Sequence, residues 1–284
     1  MIFKVDVSRI LEIKQTGPEA AKAEDIETFY KIIADYINSE SLESLKDKNL
    51  TISLDIDGQN SSLVISEGNA EFKRDRVLKS DVQFYSDIKT MAGIASGLID
   101  SVKAFLSGDL EIDGDFEKMI SFLEILDHAY EKLGIASKEE RNILIDPQSM
   151  KKLYELYEAG ATDVDTNDIP LFFNIFCAFI NLNEEAKEVV EFEDLRVQMI
   201  VKEAGPYFIY KDEEDGTVKW KAEKVEDSIL EFEVSIKTAA DVLLGGDAAS
   251  AYLSGEVTAT GNIGQALILQ ELLELFLEIL PFTD

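Results

Sequence analysis

Leu50, Ile52, Leu54 and Ile56 alternate with polar residues, the period of a strand with one face in a core, and Asp57-Gly58 supplies the turn chemistry of a hairpin. Short apolar runs near 61–66, 69–76 and 79–86 predict three further strands in an antiparallel meander. The order of events recurs downstream: strands near 195–203 and 206–212 around Ala204-Gly205-Pro206, then Asp215-Gly216 and strands near 217–223 and 228–235. An apolar helix is predicted before each meander, over 24–38 and 168–181, and a long helix after it, over 115–133 and 263–280. On the helix 115–133 the apolar residues Phe116, Met119, Phe122, Leu123, Leu126, Tyr130 and Leu133 share one side. On the helix 263–280 the interruptions are Glu271, Glu274, Glu278 and two glutamines, so its wide apolar arc needs more than one neighbour: the other domain, a partner chain or a bound lipid. A further helix is predicted over 148–159, from Pro147 to Gly160. Ile2, Val5 and Val7 suggest an added strand or arm at the start.

The recurrence extends to residue identity. Lys103 to Ile112 reads K-A-F-L-S-G-D-L-E-I, and Ser250 to Ala259 reads S-A-Y-L-S-G-E-V-T-A. Phe84…Ile88-Lys89-Thr90 returns as Phe232…Ile236-Lys237-Thr238, and Gly97, Gly108 and Gly114 return as Gly245, Gly255 and Gly261. Two copies are too few for a solenoid and indicate a tandem pair of small domains. The expected boundaries are a first domain over 1–136 with an N-terminal extension, a helical linker over 137–166 and a second domain over 167–284.

The chain of 284 residues is long enough for two such cores. Residues 1–136 carry 15 basic against 26 acidic side chains, and the whole chain has a net charge of −30. That charge repels nucleic acid and anionic membrane surfaces. Three glutamates in the last helix argue against a transmembrane span, so no stable membrane insertion is expected. One cysteine forbids an intramolecular disulfide, and the start M-I-F-K-V-D-V lacks the regions of a signal peptide, which makes the cytoplasm the expected compartment.

Catalytic chemistry is sparse. The single histidine, His128, falls on the polar side of its helix, and Cys177 sits in the apolar run L-F-F-N-I-F-C-A-F-I, where a small buried hydrophobe is the natural reading. No Ser/His/Asp or Cys/His set can be built twice. Asp163, Asp165, Asn167 and Asp168 resemble the opening of a calcium loop, but Asp168 stands where glycine is needed and Asn174 where a bidentate glutamate is needed. Gly255, Gly261 and Gly264 read as turn glycines and not as a phosphate loop, since no lysine follows at the required spacing. No enzyme activity, metal or cofactor is expected.

The stretch D-V-Q-F-Y-S-D-I-K-T-M-A-G-I-A-S-G-L-I-D-S-V-K-A-F-L-S-G-D-L-E-I-D-G-D over 81–115 resembles the most recognisable segment of the sterol carrier protein two family. The second copy, I-L-E-F-E-V-S-I-K-T-A-A-D-V-L-L-G-G-D-A-A-S-A-Y-L-S-G-E-V-T-A-T-G-N, resembles it again. The resemblance implies an α+β fold: two tandem domains, each a five-stranded antiparallel sheet with helices on one face, enclosing an apolar tunnel under the last helix. Carried over by position, the ligand lining would come from Phe84, Met91, Ile94, Leu98, Phe105, Leu106, Leu110, Met119, Phe122 and Leu123 in the first copy. The second copy would use Phe232, Ala239, Val242, Tyr252, Leu253, Val257, Ala266 and Leu269. Each of these is also an acceptable core residue.

The implied function is binding or intracellular transfer of a hydrophobic ligand of fatty acid, sterol or isoprenoid type, without catalysis. Burying roughly ten methylenes at about 0.8 kcal/mol each would release about 8 kcal/mol, the scale of micromolar affinity. The sequence departs from the family at Asp109, Glu111, Asp113 and Glu256, where members are often basic, and this disfavours polyanionic ligands such as acyl-CoA. The alternative is a scaffold or homodimerisation module whose cavities are filled. Met91, Met119 and Phe122 face Ala239, Ala266 and Leu269 across the repeat, so the larger cavity is expected in the second copy.

Overall fold

In the computed structural model the alternating run becomes strand β1 (Leu50–Ile56), which turns at Asp57 and Gly58 into β2 (Gln59–Ser66). Both turn residues have positive φ, 51° and 76°, the twist that a tight two-residue hairpin needs. The structure describes residues 6–40, 49–77, 79–141, 143–160 and 162–280. These divide into unit 1, Met1–Pro147, and unit 2, Gln148–Asp284. The stretch expected as a linker is shared, its helix α6 (Lys138–Arg141) lying in unit 1 and nearly all of α7 (Pro147–Glu158) in unit 2.

Unit 1 continues with β3 (Asn69–Lys73), β4 (Val82–Ser86) and β5 (Leu110–Gly114), in the spatial order β3-β2-β1-β4-β5. The sheet is mixed, which corrects the expected antiparallel arrangement: β1 and β4 run parallel, from Ile52 opposite Val82 to Ile56 opposite Ser86. The cause lies in the connection from β3 to β4. It leaves one edge, crosses the sheet face away from the helices, and delivers β4 to the far side of β1. Ser62 holds this crossing, its Oγ donating to the Asp75 carbonyl at 2.9 Å and accepting the Val77 N–H at 3.0 Å. Ser53, Ser62 and Gln83 are buried as a result.

Helices cover the other face. They are α2 (Ala23–Glu40), α3 (Ile88–Ala95), α4 (Ser101–Ser107) and α5 (Phe116–Leu133). Asp87, Asp100 and Asp115 cap the last three by accepting a backbone N–H three residues on. At the start of the chain, Ile2 and Val5 lie outside the described residues, and from Ser8 the expected strand or arm is instead a helix, α1 (Ser8–Thr16). Ile10 and Ile13, three positions apart, bury on its inner side, a helical spacing that outweighs the short alternation before it. Arg9 donates to both oxygens of Asp25 at 2.8 and 2.9 Å, and α1 with the 3-10 turn Pro18–Ala20 packs against α3.

Unit 2 has the same strand order. Its strands β6 (Arg196–Val201), β7 (Gly205–Lys211), β8 (Val218–Lys221), β9 (Leu230–Val234) and β10 (Val257–Gly261) stand as β10-β9-β6-β7-β8. β6 and β9 again run parallel, and Gln198 replaces Ser62 in holding the crossing, accepting from Val225 N–H at 2.9 Å and donating to the Glu223 carbonyl at 3.3 Å. Its helices are α8 (Asp168–Leu182), α9 (Glu184–Val190), α10 (Ile236–Leu243), α11 (Ala248–Ser254) and α12 (Gly264–Ile279).

The repeated glycines have one backbone role in both units. Gly108 and Gly255 end α4 and α11 in the left-handed conformation. Gly114 and Gly261, at φ 112° and 114°, sit so close to the neighbouring strand that a Cβ would lie 2.2 Å from the carbonyl oxygens of Asp81 and Ile229. These are corner glycines.

Candidate cavity of unit 2

The inner face of the unit 2 sheet presents Met199, Ile209, Phe232 and Val234, and α8 sets Phe173 and Phe176 beside them. Above this floor the side chains shorten: Ala239 on α10, and Ala266 and Leu269 on α12. The result is a cavity of about 510 Å³ under α12, within the size range of lipid and cofactor sites. α12 resolves the question posed by its wide apolar arc. Phe276 and Leu272 are buried against α8 and α9, with the Phe276 ring 5.3 to 5.8 Å from Phe172, Phe176 and Phe179. The remaining arc, Ala266, Leu269, Leu273 and Leu277, faces the cavity.

Seven of the eight positions expected in the second copy meet there: Phe232, Ala239, Val242, Tyr252, Val257, Ala266 and Leu269. Leu253 does not. It follows Tyr252 on α11, one residue turns it about 100° round the helix, and it is 84 % exposed.

The first copy differs. Phe84, Met91, Ile94, Phe105, Leu106, Leu110, Met119, Phe122 and Leu123 are all buried in the unit 1 core, and Leu98 is exposed beyond the left-handed Gly97. The volume that unit 2 leaves open is packed here. The Phe122 ring lies 6.0 Å from Phe84 and 6.3 Å from Tyr30, and the Tyr30 hydroxyl meets Met91 Sδ at 3.6 Å. Tyr130 closes the far end, donating to the Ile94 carbonyl at 2.6 Å. Its position in the repeat is held in unit 2 by Leu277, a fourth loss of bulk beside the three read from sequence. Leu277 was legible from the same offset, whereas Met199, Ile209, Phe173 and Phe176 come from strands and a helix at which the two copies share too little identity to be aligned.

The groups considered for chemistry lie elsewhere. His128 is exposed on α5, its ring 6.3 Å from that of Tyr36. Cys177 is buried in α8 and burial pushes its thiol up to about 12, so it is protonated at neutral pH. Asp165 and Asp168 are occupied in turns, accepting the N–H groups of Asn167 and Asp165 at 2.6 and 2.8 Å. Among the described residues no cluster of histidine, cysteine and carboxylates could hold a metal ion.

The folded segment from α2 to α5 is also where a known family is met. The SCP-2 sterol transfer family model matches residues 29–127. Those residues run from Phe29 in α2 to Asp127 in α5, within unit 1. No curated protein sequence matches the chain. Among solved structures, a UbiJ-SCP2 ubiquinone synthesis protein is 16 % identical with a TM-score of 0.33, covering 39 % of this chain and 94 % of its own. Sterol carrier protein 2 like 2 from Aedes aegypti is 16 % identical with a TM-score of 0.31, over 36 % of this chain and 95 % of its own. A stereoselective inverting sec-alkylsulfatase from Pseudomonas sp. is 13 % identical with a TM-score of 0.30, over 40 % of this chain and 16 % of its own. Among the described residues, no helix is long and apolar enough to cross a membrane.

Proposed function

We propose that this protein binds a hydrophobic ligand without catalysis, and carries it within the cytoplasm, using the cavity of unit 2. One observation supports this above the others: the sterol-carrier-like arrangement of unit 2 keeps about 510 Å³ of apolar space under α12 where unit 1 is filled by Met91, Met119, Phe122 and Tyr130. Unit 2 is thereby read as a second, diverged copy of the module matched in unit 1. A ligand placed there would bury its chain against Phe173, Phe176, Phe232 and the short side chains of α10 and α12, gaining about 0.8 kcal/mol per methylene. The candidates are lipids of the fatty acid, sterol or isoprenoid kind. Cys177 and His128 lie outside the lining, in keeping with binding alone.

The packed interior of unit 1 favours a second role for that unit, as a scaffold or homodimerisation module. Native mass spectrometry of the intact purified chain tests both. Co-purified lipid, at one molecule per chain and diminished by Ala266→Trp, supports the carrier reading. A lipid-free dimer whose thermal stability is unchanged by added lipid would sink it and leave the scaffold.

A further inference from the structure

Among the described residues, the lining of the unit 2 cavity holds no lysine, arginine or histidine. The charged groups among the described lining residues are two carboxylates, Asp247 at the start of α11 and Glu274 on α12, and the amide of Gln270 stands beside Glu274. Both carboxylates are exposed and stand at the rim of the cavity, where the loop leading into Asp247 approaches α12. Gly245 packs so near α12 that a Cβ would lie 3.3 Å from Leu277 Cδ1, and Glu274 is one turn back along that helix. Gln270 Nε2 donates to Glu274 Oε1 at 2.8 Å, which spends a donor and leaves the amide oxygen as an acceptor. Asp247 accepts the N–H and the hydroxyl of Ser250 at 2.9 and 2.6 Å, and these bonds hold its carboxyl below the usual carboxylate range, so it is ionised at neutral pH. Tyr252, 51 % exposed, adds an aromatic ring to the same lining.

The apolar cavity supplies the site, and these groups choose the head of whatever enters it. A carboxylate or phosphate head would face two like charges with no cation to answer it. A cationic nitrogen would meet carboxylates, an amide oxygen and an aromatic face, the set of partners that attracts ammonium groups. We propose that unit 2 takes a single-chain amphiphile with a cationic nitrogen head, its chain under α12 and its head at Asp247, Gln270, Glu274 and Tyr252. This rests on the carrier reading of the cavity and narrows it to one class of ligand.

The chain contains one tryptophan, Trp220, whose ring lies 5.9 Å from that of the lining residue Phe173, so its fluorescence reports on occupancy. The full-length protein is titrated with dodecyltrimethylammonium, dodecanol and dodecanoate, each kept below its micellar concentration. The expected order of affinity is ammonium, then alcohol, then carboxylate, with about tenfold between the first and last. Glu274→Gln combined with Asp247→Asn should erase that spread. Glu271→Gln combined with Glu278→Gln removes the same charge from positions of α12 outside the cavity lining and should preserve it. The inference is overturned if dodecanoate binds as well as the ammonium, or if the control pair erases the preference too, which would mark it as general attraction to an acidic protein. If none of the three changes Trp220 emission in the wild-type chain and no lipid co-purifies with it, the cavity reading itself fails.

Discussion

Asn38 and Asn181 do the same work in different units: each clamps the edge strand of its sheet by bonding both backbone atoms of one residue. Asn38 donates to the Ala70 carbonyl at 2.9 Å and accepts its N–H at 2.8 Å; Asn181 donates to the Val218 carbonyl at 2.8 Å and accepts its N–H at 2.7 Å. A carboxamide carries its donor and its acceptor on separate atoms, so it can match the carbonyl and the N–H of one backbone residue together. Replacing Asn181 with alanine orphans both atoms of Val218, which is itself buried, and should lower stability by about 1–3 kcal/mol. Asn181→Asp, keeping only the acceptor, should fall between, as read by urea unfolding followed through Trp220.

Met119 and Ala266 occupy matching places and should respond in opposite ways. Met119→Ala empties a packed core and is expected to cost unit 1 about 2–5 kcal/mol without creating lipid uptake. Ala266→Trp enters open space and should cost unit 2 less than about 1 kcal/mol while abolishing uptake. Unfolding of unit 2 by the tryptophan would show the position to be plain core.

The corner glycines should be equally intolerant. Gly114→Ala and Gly261→Ala each combine a positive φ with a Cβ 2.2 Å from a backbone oxygen, so the β-strand beside each must move. Losses of about 3 kcal/mol or more are expected in both units, with soluble expression falling in parallel. Tolerance of alanine at either corner, measured by thermal unfolding, would contradict the geometry.

Acid should loosen α1. The Arg9 guanidinium holds the Asp25 carboxyl below its ordinary value, so the contribution of this pair is complete above the unfolded-state pKa and is lost as pH falls through the lower folded value. Proteolysis between α1 and α2 should therefore accelerate below about pH 4, the ordinary carboxylate range. Asp25→Asn should reproduce the acceleration at pH 7. If the variant and the wild type are cut at the same rate at both pH values, the pair does not anchor α1.

Cys177 should be silent toward thiol reagents in the native state at pH 8, because burial keeps it protonated with its pKa near 12, and it should react fully once the chain is unfolded. A fast native reaction would mean that α8 opens locally.

Much of this architecture was legible in residues 84–114 and 232–261, where identities recur at a nearly fixed spacing and the glycines among them have a backbone cause: left-handed ends at Gly108 and Gly255, corners at Gly114 and Gly261, with helix caps at the equivalent Asp87 and Ser235. The paired asparagines escaped notice because Asn38 and Asn181 are 143 residues apart, against 147 for the corner glycines. The parallel pairing of β1 with β4 was also invisible. Alternation fixes which face of a strand is apolar, and says nothing of which neighbour it chooses. The difference in side-chain bulk between the copies was readable because bulk is a property of single residues: methionine against alanine, phenylalanine against leucine. Leu253 was misplaced because apolar character alone does not fix an angle on a seven-residue helix.

The crossing strands have a kinetic meaning. In each unit the two central strands, β1 with β4 and β6 with β9, are joined only after a hairpin and an edge strand have been laid down and the chain has doubled back across the sheet under the grip of Ser62 or Gln198. The middle of the sheet is therefore closed by long-range contacts, and the loop-closure entropy must be met before they form. A ribosome-bound chain that has released β1 to β3 holds three strands with one edge of β1 unpaired, and it must wait for β4, β5 and the covering helix α5 before its apolar face is sheltered. Folding of each unit should then proceed as one late, concerted event and not strand by strand.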